Sequence, residues 1–307
     1  MSKDKCQEGR ECMEKASKYL KTSLLKWVPD YDSAADEYSK AAVCFRVGKS
    51  YKESKECLLK ASQNYIKNGS LFHAAKSLDQ ALILSKEIGD LSDVPDMALK
   101  ASYYYQQHGS SGSASLLLNK AADMVKQTNP EAAVKLYKEA AIVASNEDST
   151  GQAMEYTHKA ARLLVKMDKY EEAEEELRRQ FGYMHEGGSP TSMGRVTVEL
   201  FLLQLAKDDL VAARKVLNQY GSEYCEQPEI CLLDNILTAY SERDAKNINT
   251  TLGNAFIKHM DVEFGILAKK LASKWTEEPV NSIAAQNPHG ADEDTEKPQT
   301  DFGGGLC

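Results

Sequence analysis

The chain has 307 residues, 42% of them hydrophobic and 27% charged, with a formal net charge of −8. This size and composition suit one or two globular domains, and the acidic balance argues against a nucleic-acid-binding surface. No stretch approaches the roughly 18 apolar residues of a membrane span, and the charged segment from Met1 to Glu14 lacks the apolar centre of a secretory signal, so a cytoplasmic chain is expected.

Reading from the amino terminus, residues 4–22 have the spacing of a first amphipathic helix. An apolar stretch follows, Leu24, Leu25, Lys26, Trp27 and Val28, running into Pro29 where a turn between helices should be polar. Pro29 and an aspartate at 30 or 32 ahead of an alanine-rich run read as a loop and then a helix N-cap. Exposed, the loop is suited to dip into a bilayer interface; otherwise Trp27 packs under the first helix pair.

From Asp32 onward small residues recur seven apart, and each pair recurs about every twenty residues. The pairs are Ala34 with Ala41, Ser54 with Ala61, Ala74 with Ala81, Val94 with Ala101, Ala114 with Ala121, Ala133 with Ala140, and Ala153 with Ala160; Ala173 continues the series. Positions i and i+7 share one helix face two turns apart, and small side chains there let a neighbouring helix approach closely. Gly48, Gly69, Gly89 and Gly109 fall at nearly the same interval, where a left-handed C-terminal cap needs glycine, and Asn129-Pro130 takes that place next. Each unit is therefore one helix and one turn. Two helices make a unit of about forty residues, longer than the 34 of a standard tetratricopeptide repeat, that must stack on its neighbours to bury its apolar face.

After Glu186 the pattern changes. A long turn, HEGGSP, precedes residues 191–207, apolar on most sides and so expected to be buried on most sides. Helices near 209–220, 229–243 and 247–275 follow, the last broken around His259 to Asp261. From Thr276 the chain carries seven acids against one base, a tail charge of −6, with scattered proline and glycine, and this composition does not support a core. The predicted fold is all-α: a tetratricopeptide-like right-handed superhelix of antiparallel helical hairpins over 1–184, a C-terminal helical bundle over 185–275, and an acidic tail over 276–307 expected to be disordered.

The usual catalytic and cofactor signatures are absent: no G-x-x-x-x-G-K-[ST], H-E-x-x-H, G-x-S-x-G or G-x-G-x-x-G at a strand-to-helix junction. The six histidines are scattered and read as surface or packing residues, and seven cysteines without a C-x-x-C read as reduced thiols. No enzyme activity, cofactor or metal is expected. Two further features ask for a binding role. Lys40, Lys60, Lys100, Lys120 and Lys159 each immediately precede the second small residue of a repeat. A repeated charge at the margin of a buried stripe is commonly a solvated edge; if the helices carrying Lys40, Lys120 and Lys159 line the concave side, they offer a basic track to an acidic, rod-like partner. The chain also finishes with the basic patch KKLASKW (269–275), the acidic tail and an apolar ending.

The segments YLKTSLLKWVPDYDSAADEYSKAA (19–42), HAAKSLDQA (73–81), PEAAVKLYKEAA (130–141), KAARLLV (159–165) and the ending GGLC resemble the soluble NSF attachment proteins, the SNAP family, and their gamma form most closely. The resemblance implies an adaptor in vesicular membrane traffic, cytoplasmic and peripheral on membranes. Such an adaptor binds the SNARE four-helix bundle of syntaxin-type proteins and recruits and stimulates the hexameric AAA+ ATPase NSF, which takes the bundle apart for recycling. It implies a membrane-contacting loop at Leu24, Leu25, Lys26, Trp27 and Val28, with weak attachment to the bilayer. It also implies ATPase contacts at Leu306, Lys269 and Lys270. The alternative is a tetratricopeptide-type cochaperone or scaffold holding a peptide or helical partner in its groove. Its Lys/Asn carboxylate clamp in 34-residue repeats is missing from this sequence.

Overall fold

The computed structural model describes residues 2–22, 27–187 and 190–275. Among them all regular structure is helical. Nine helices form a sequential stack: α1 (Ser2–Leu20), α2 (Tyr31–Val47), α3 (Tyr51–Lys67), α4 (Leu71–Ile88), α5 (Val94–Gln107), α6 (Ser111–Val125), α7 (Pro130–Ser145), α8 (Thr150–Lys166) and α9 (Tyr170–Gly187). The remaining helices are α10 (Pro190–Ala206), α11 (Leu210–Val216), α12 (Ser222–Tyr224), α13 (Gln227–Glu242), α14 (Ala245–Leu252), α15 (Ala255–Lys258) and α16 (Val262–Lys274), with a π-helical turn, Leu217–Gly221, between α11 and α12.

Local chemistry sets the helix starts. Asp30 caps α2 by accepting a hydrogen bond from Ser33 N at 3.0 Å, and Asn129, Asp209 and Asp244 cap α7, α11 and α14 in the same way, each satisfying an otherwise orphaned N–H. Asn129 is therefore an N-cap for the next helix and not the glycine substitute at the end of the preceding one. The turn glycines behave as expected at Gly69, Gly89 and Gly109, with φ of 77°, 80° and 80°. Gly48 does not. It keeps a right-handed conformation and Lys49 takes the left-handed one at φ 62°. Glycine is needed at 48 for space, because a Cβ there would lie 2.6 Å from the Cys6 sulfur of α1.

The small-residue stripe is the seam of the stack. Ala34, Ala41, Ala61, Ala74, Ala81, Ala101, Ala114, Ala121, Ala133, Ala140, Ala153, Ala160 and Ala173 are all fully buried. Cross-links two helices apart separate the stack into two layers. Lys120 on α6 pairs with Asp79 on α4, and Lys159 on α8 bonds Asn119 on α6; in the other layer Lys138 on α7 pairs with Glu176 on α9. Even-numbered helices make one layer and odd-numbered helices the other.

One continuous core runs from Ala41 to Leu271, joining the stack to the C-terminal helices. A smaller cluster of Ala16, Ala35, Tyr38, Ala61, Tyr65 and Ala74 seats α1. Helix α10 carries Val198, Leu200, Phe201, Leu202, Leu203 and Leu205 with no exposure at all, so it is enclosed as its composition predicts. The break expected at His259 to Asp261 separates α15 from α16. Helix α16 then returns to pack on α8 and α10.

Candidate functional site

Lys40, Lys120 and Lys159 lie on α2, α6 and α8, in one layer; Lys60 and Lys100 lie on α3 and α5, in the other. The row is not a bare basic track. Lys40 pairs with Glu37 at 2.6 Å, Lys120 with Asp79 at 2.7 Å, and Lys159 with Glu155 at 2.7 Å and Asp123 at 3.8 Å. Each pair has at least one member open to solvent, and pairs at the surface contribute about 0–1 kcal/mol each, so exchanging them for a partner's carboxylates is inexpensive. Gln80 holds the corresponding place on α4, beside Lys40 in a groove that Ser39, Val43, Tyr65, His73, Lys76 and Ser77 complete.

Around Lys159 the structure gathers cations that the repeat position alone did not mark. Lys126, Arg162 and Lys166 share with it a cleft of about 270 Å³ that also contains Asp123, Tyr137 and Glu263. Arg162 and Lys166 follow Lys159 at helical spacings, three and seven residues on, so the signal was one face of α8 read beyond the stripe margin. Burial pushes the Asp123 carboxyl up, but bonds from Lys126 and Tyr137 outweigh it and hold the group below its usual range. Burial, reinforced by that same bond, pushes the Tyr137 hydroxyl up. Val43, Ile83 and Leu116, on α2, α4 and α6, add exposed apolar side chains to this layer.

At the amino-terminal end, Asp30 N donates to Tyr19 O at 3.1 Å and closes the base of the α1–α2 loop. Trp27 is 86% exposed and Val28 69%, so the indole does not pack under the first helix pair. Leu24, Leu25 and Lys26 lie outside the described residues, as does Leu306. At the other end Lys269 is exposed on α16, and Lys270 donates to Asp168 at 2.6 Å and to Tyr170 at 3.4 Å, tying α16 to the α8–α9 turn. Lys274 pairs with Asp208.

A model of the soluble NSF attachment protein family, SNAP, matches residues 7–256. The chain belongs to that family. Its members are adaptors and not enzymes, and the chain is an attachment protein of the same kind. A gamma-soluble NSF attachment protein of Dictyostelium discoideum is 26% identical over 91% of this chain and 87% of its own length. One from Arabidopsis thaliana is 27% identical over 84% of this chain and 90% of its own length. Among solved structures, a tetratricopeptide repeat protein from Parabacteroides merdae overlays 87% of this chain and 99% of its own at 14% identity, with a TM-score of 0.27. Among the described residues of this SNAP-family chain no helix is long and apolar enough to cross a membrane.

Proposed function

We propose that this SNAP-family chain lays its even-numbered helices along a SNARE four-helix bundle and attaches that bundle to the hexameric ATPase NSF for disassembly. The observation that carries the reading is the cation set on one layer: Lys40, Lys120 and Lys159 at the repeat position, with Lys126, Arg162 and Lys166 gathered around Lys159. An acidic helical rod presents carboxylates over a comparable length, and weak internal pairs leave these lysines available to it. Reversing two of them in Lys120→Glu, Lys159→Glu is expected to weaken binding of a purified syntaxin-type SNARE bundle by roughly tenfold or more, with a flatter salt dependence. Unchanged affinity in a pull-down at physiological salt rejects the groove assignment.

Two ends complete the adaptor. The α1–α2 loop, with Trp27 and Val28 exposed and Leu24, Leu25 and Lys26 beside them in sequence, rests in a bilayer interface and holds the cytoplasmic protein peripherally on membranes. A fully buried large apolar side chain contributes roughly 1.5–3 kcal/mol, so partial insertion of a few gives a weak, reversible contact. Trp27→Ser, Val28→Ser is expected to reduce co-flotation with anionic liposomes several-fold; equal flotation of variant and parent counts against the loop. At the far end Lys269 and Lys270 on α16, with Leu306, meet the ATPase. The Asp168 bond to Lys270 fixes where that patch sits on the α8–α9 turn.

A further inference from the structure

The junction where α8, α10 and the start of α16 meet holds a group of side chains that the adaptor reading does not use. His158 on α8 places Nε2 at 3.3 Å from both carboxylate oxygens of Glu199 on α10, hydrogen-bonding Oε1, and at 3.7 Å from Asp261 Oδ2. One ligand atom from each of the three lies within 4.8 Å of the others. They open onto a cleft of about 440 Å³ that Gln180, Met184, Arg195 and Val196 also line.

Two observations point to a missing occupant. Glu199 is fully buried, and its Oε2 accepts no hydrogen bond, since His158 Nε2, although 3.3 Å away, is aligned on Oε1; Gln180, only 4% exposed, likewise leaves its Oε1 without a donor. Burying such acceptors unsatisfied is costly, and two of them on one cleft call for a cation or a donor. Asp261 occupies the N-cap position of α16 yet makes no side-chain cap bond. Its carboxylate is held instead by Arg162 at 3.2 Å and Arg195 at 3.1 Å.

We propose that His158, Glu199 and Asp261 form a binding site for a divalent transition-metal ion of the zinc class. One imidazole and two carboxylates are a borderline donor set that suits such an ion. With metal–ligand distances of about 2.0–2.1 Å, tetrahedral ligands sit roughly 3.4 Å apart, close to the 3.3 and 3.7 Å that separate His158 from its two acidic neighbours. The cleft, which Gln180 also lines, leaves a fourth position to water. Arg162 bonds Asp261 Oδ1, while Arg195 bonds Asp261 Oδ2 at 3.1 Å and lies 3.7 Å from Glu199 Oε1, so both guanidiniums orient the carboxylates and leave Glu199 Oε2 and His158 Nε2 to the ion. With a neutral imidazole, the three carboxylates Glu199, Asp261 and Glu263 outnumber the two guanidiniums, so the junction carries a net negative charge that a divalent ion reverses only to a single positive one. Bound there, the ion fastens the helical stack to the C-terminal helices at one point.

The test is titration of the full chain with Co²⁺, read by its visible ligand-field absorption, and with Zn²⁺, read by melting temperature. One ion per chain is expected, with the visible bands of a nitrogen and oxygen site and a melting rise of roughly 5 °C at saturating Zn²⁺. His158→Ala and the isosteric Glu199→Gln are each expected to weaken metal binding roughly tenfold or more. Absent ligand-field bands, binding that both variants retain, or sulfur-to-metal charge-transfer bands reporting a cysteine site would overturn the assignment.

Discussion

Replacing Lys138 by alanine is expected to cost about 2–4 kcal/mol of folding stability, a large effect for one partly exposed lysine. The reason is its partner. Lys138 Nζ, on α7, lies 3.1 Å from Oε1 of Glu176 on α9, and Glu176 is fully buried. Its other oxygen meets Arg179 at 3.3 Å within the same helix. Removing the lysine strands a buried carboxylate with half of its compensation gone, and an uncompensated buried charge costs more than the intact pair contributes. The partner change separates this cause from lost packing. Lys138→Ala with Glu176→Gln is expected to recover part of the loss, because a neutral amide is cheaper to leave in place than an ion. Urea midpoints followed by far-UV circular dichroism measure both. A Lys138→Ala midpoint equal to that of the parent chain shows that the pair carries no stability.

How much of this was legible in the sequence depends on the range of the interaction. The stack was readable because its signals are local. Alanines seven apart and glycines after each helix are decided within two turns, and the buried stripe from Ala34 to Ala173 follows them. Gly48 shows the limit of that reading. Its spacing marked a left-handed cap, but contact with Cys6, forty-two residues away, fixed its role, and Lys49 took the strained conformation. The lysine row was visible as a period and its local partners Glu37 and Glu155 at helical spacing, whereas Asp79 and Asp123 come from the adjacent repeat and emerge only when the helices are laid side by side. For Trp27, composition gives the apolar character of the loop but not which side of α1 and α2 it faces. The His158, Glu199 and Asp261 junction had no signal, since it depends on α16 returning to the end of the stack, and no local pattern encodes that return.

A second contact across the same region makes the expected acid sensitivity calculable. Glu174, on α9, accepts from Lys207 at the end of α10 at 2.5 Å and from Arg178 at 2.6 Å. Burial pushes its carboxyl up, yet the bonds from Lys207, Gln204 and Arg178 outweigh burial and hold it at about 2, against an ordinary 4.5. The folded state therefore binds this proton more weakly than the unfolded chain. The resulting stability is fully present above about pH 4.5 and is lost as pH falls towards about 2. A shift of this size corresponds to about 3 kcal/mol, and solvent screening of a partly exposed group reduces it to about 2. Glu174→Gln is thus expected to be about 2 kcal/mol less stable than the parent at pH 7, with the gap closing between about pH 4.5 and 2. Because Lys207 and Glu174 join the last helix of the stack to the end of α10, the loss falls on the seam between the stack and the C-terminal helices, and amide exchange in α9 should rise with it. A gap between the two proteins that stays constant down to low pH would show that the Lys207 contact does not set the acid response.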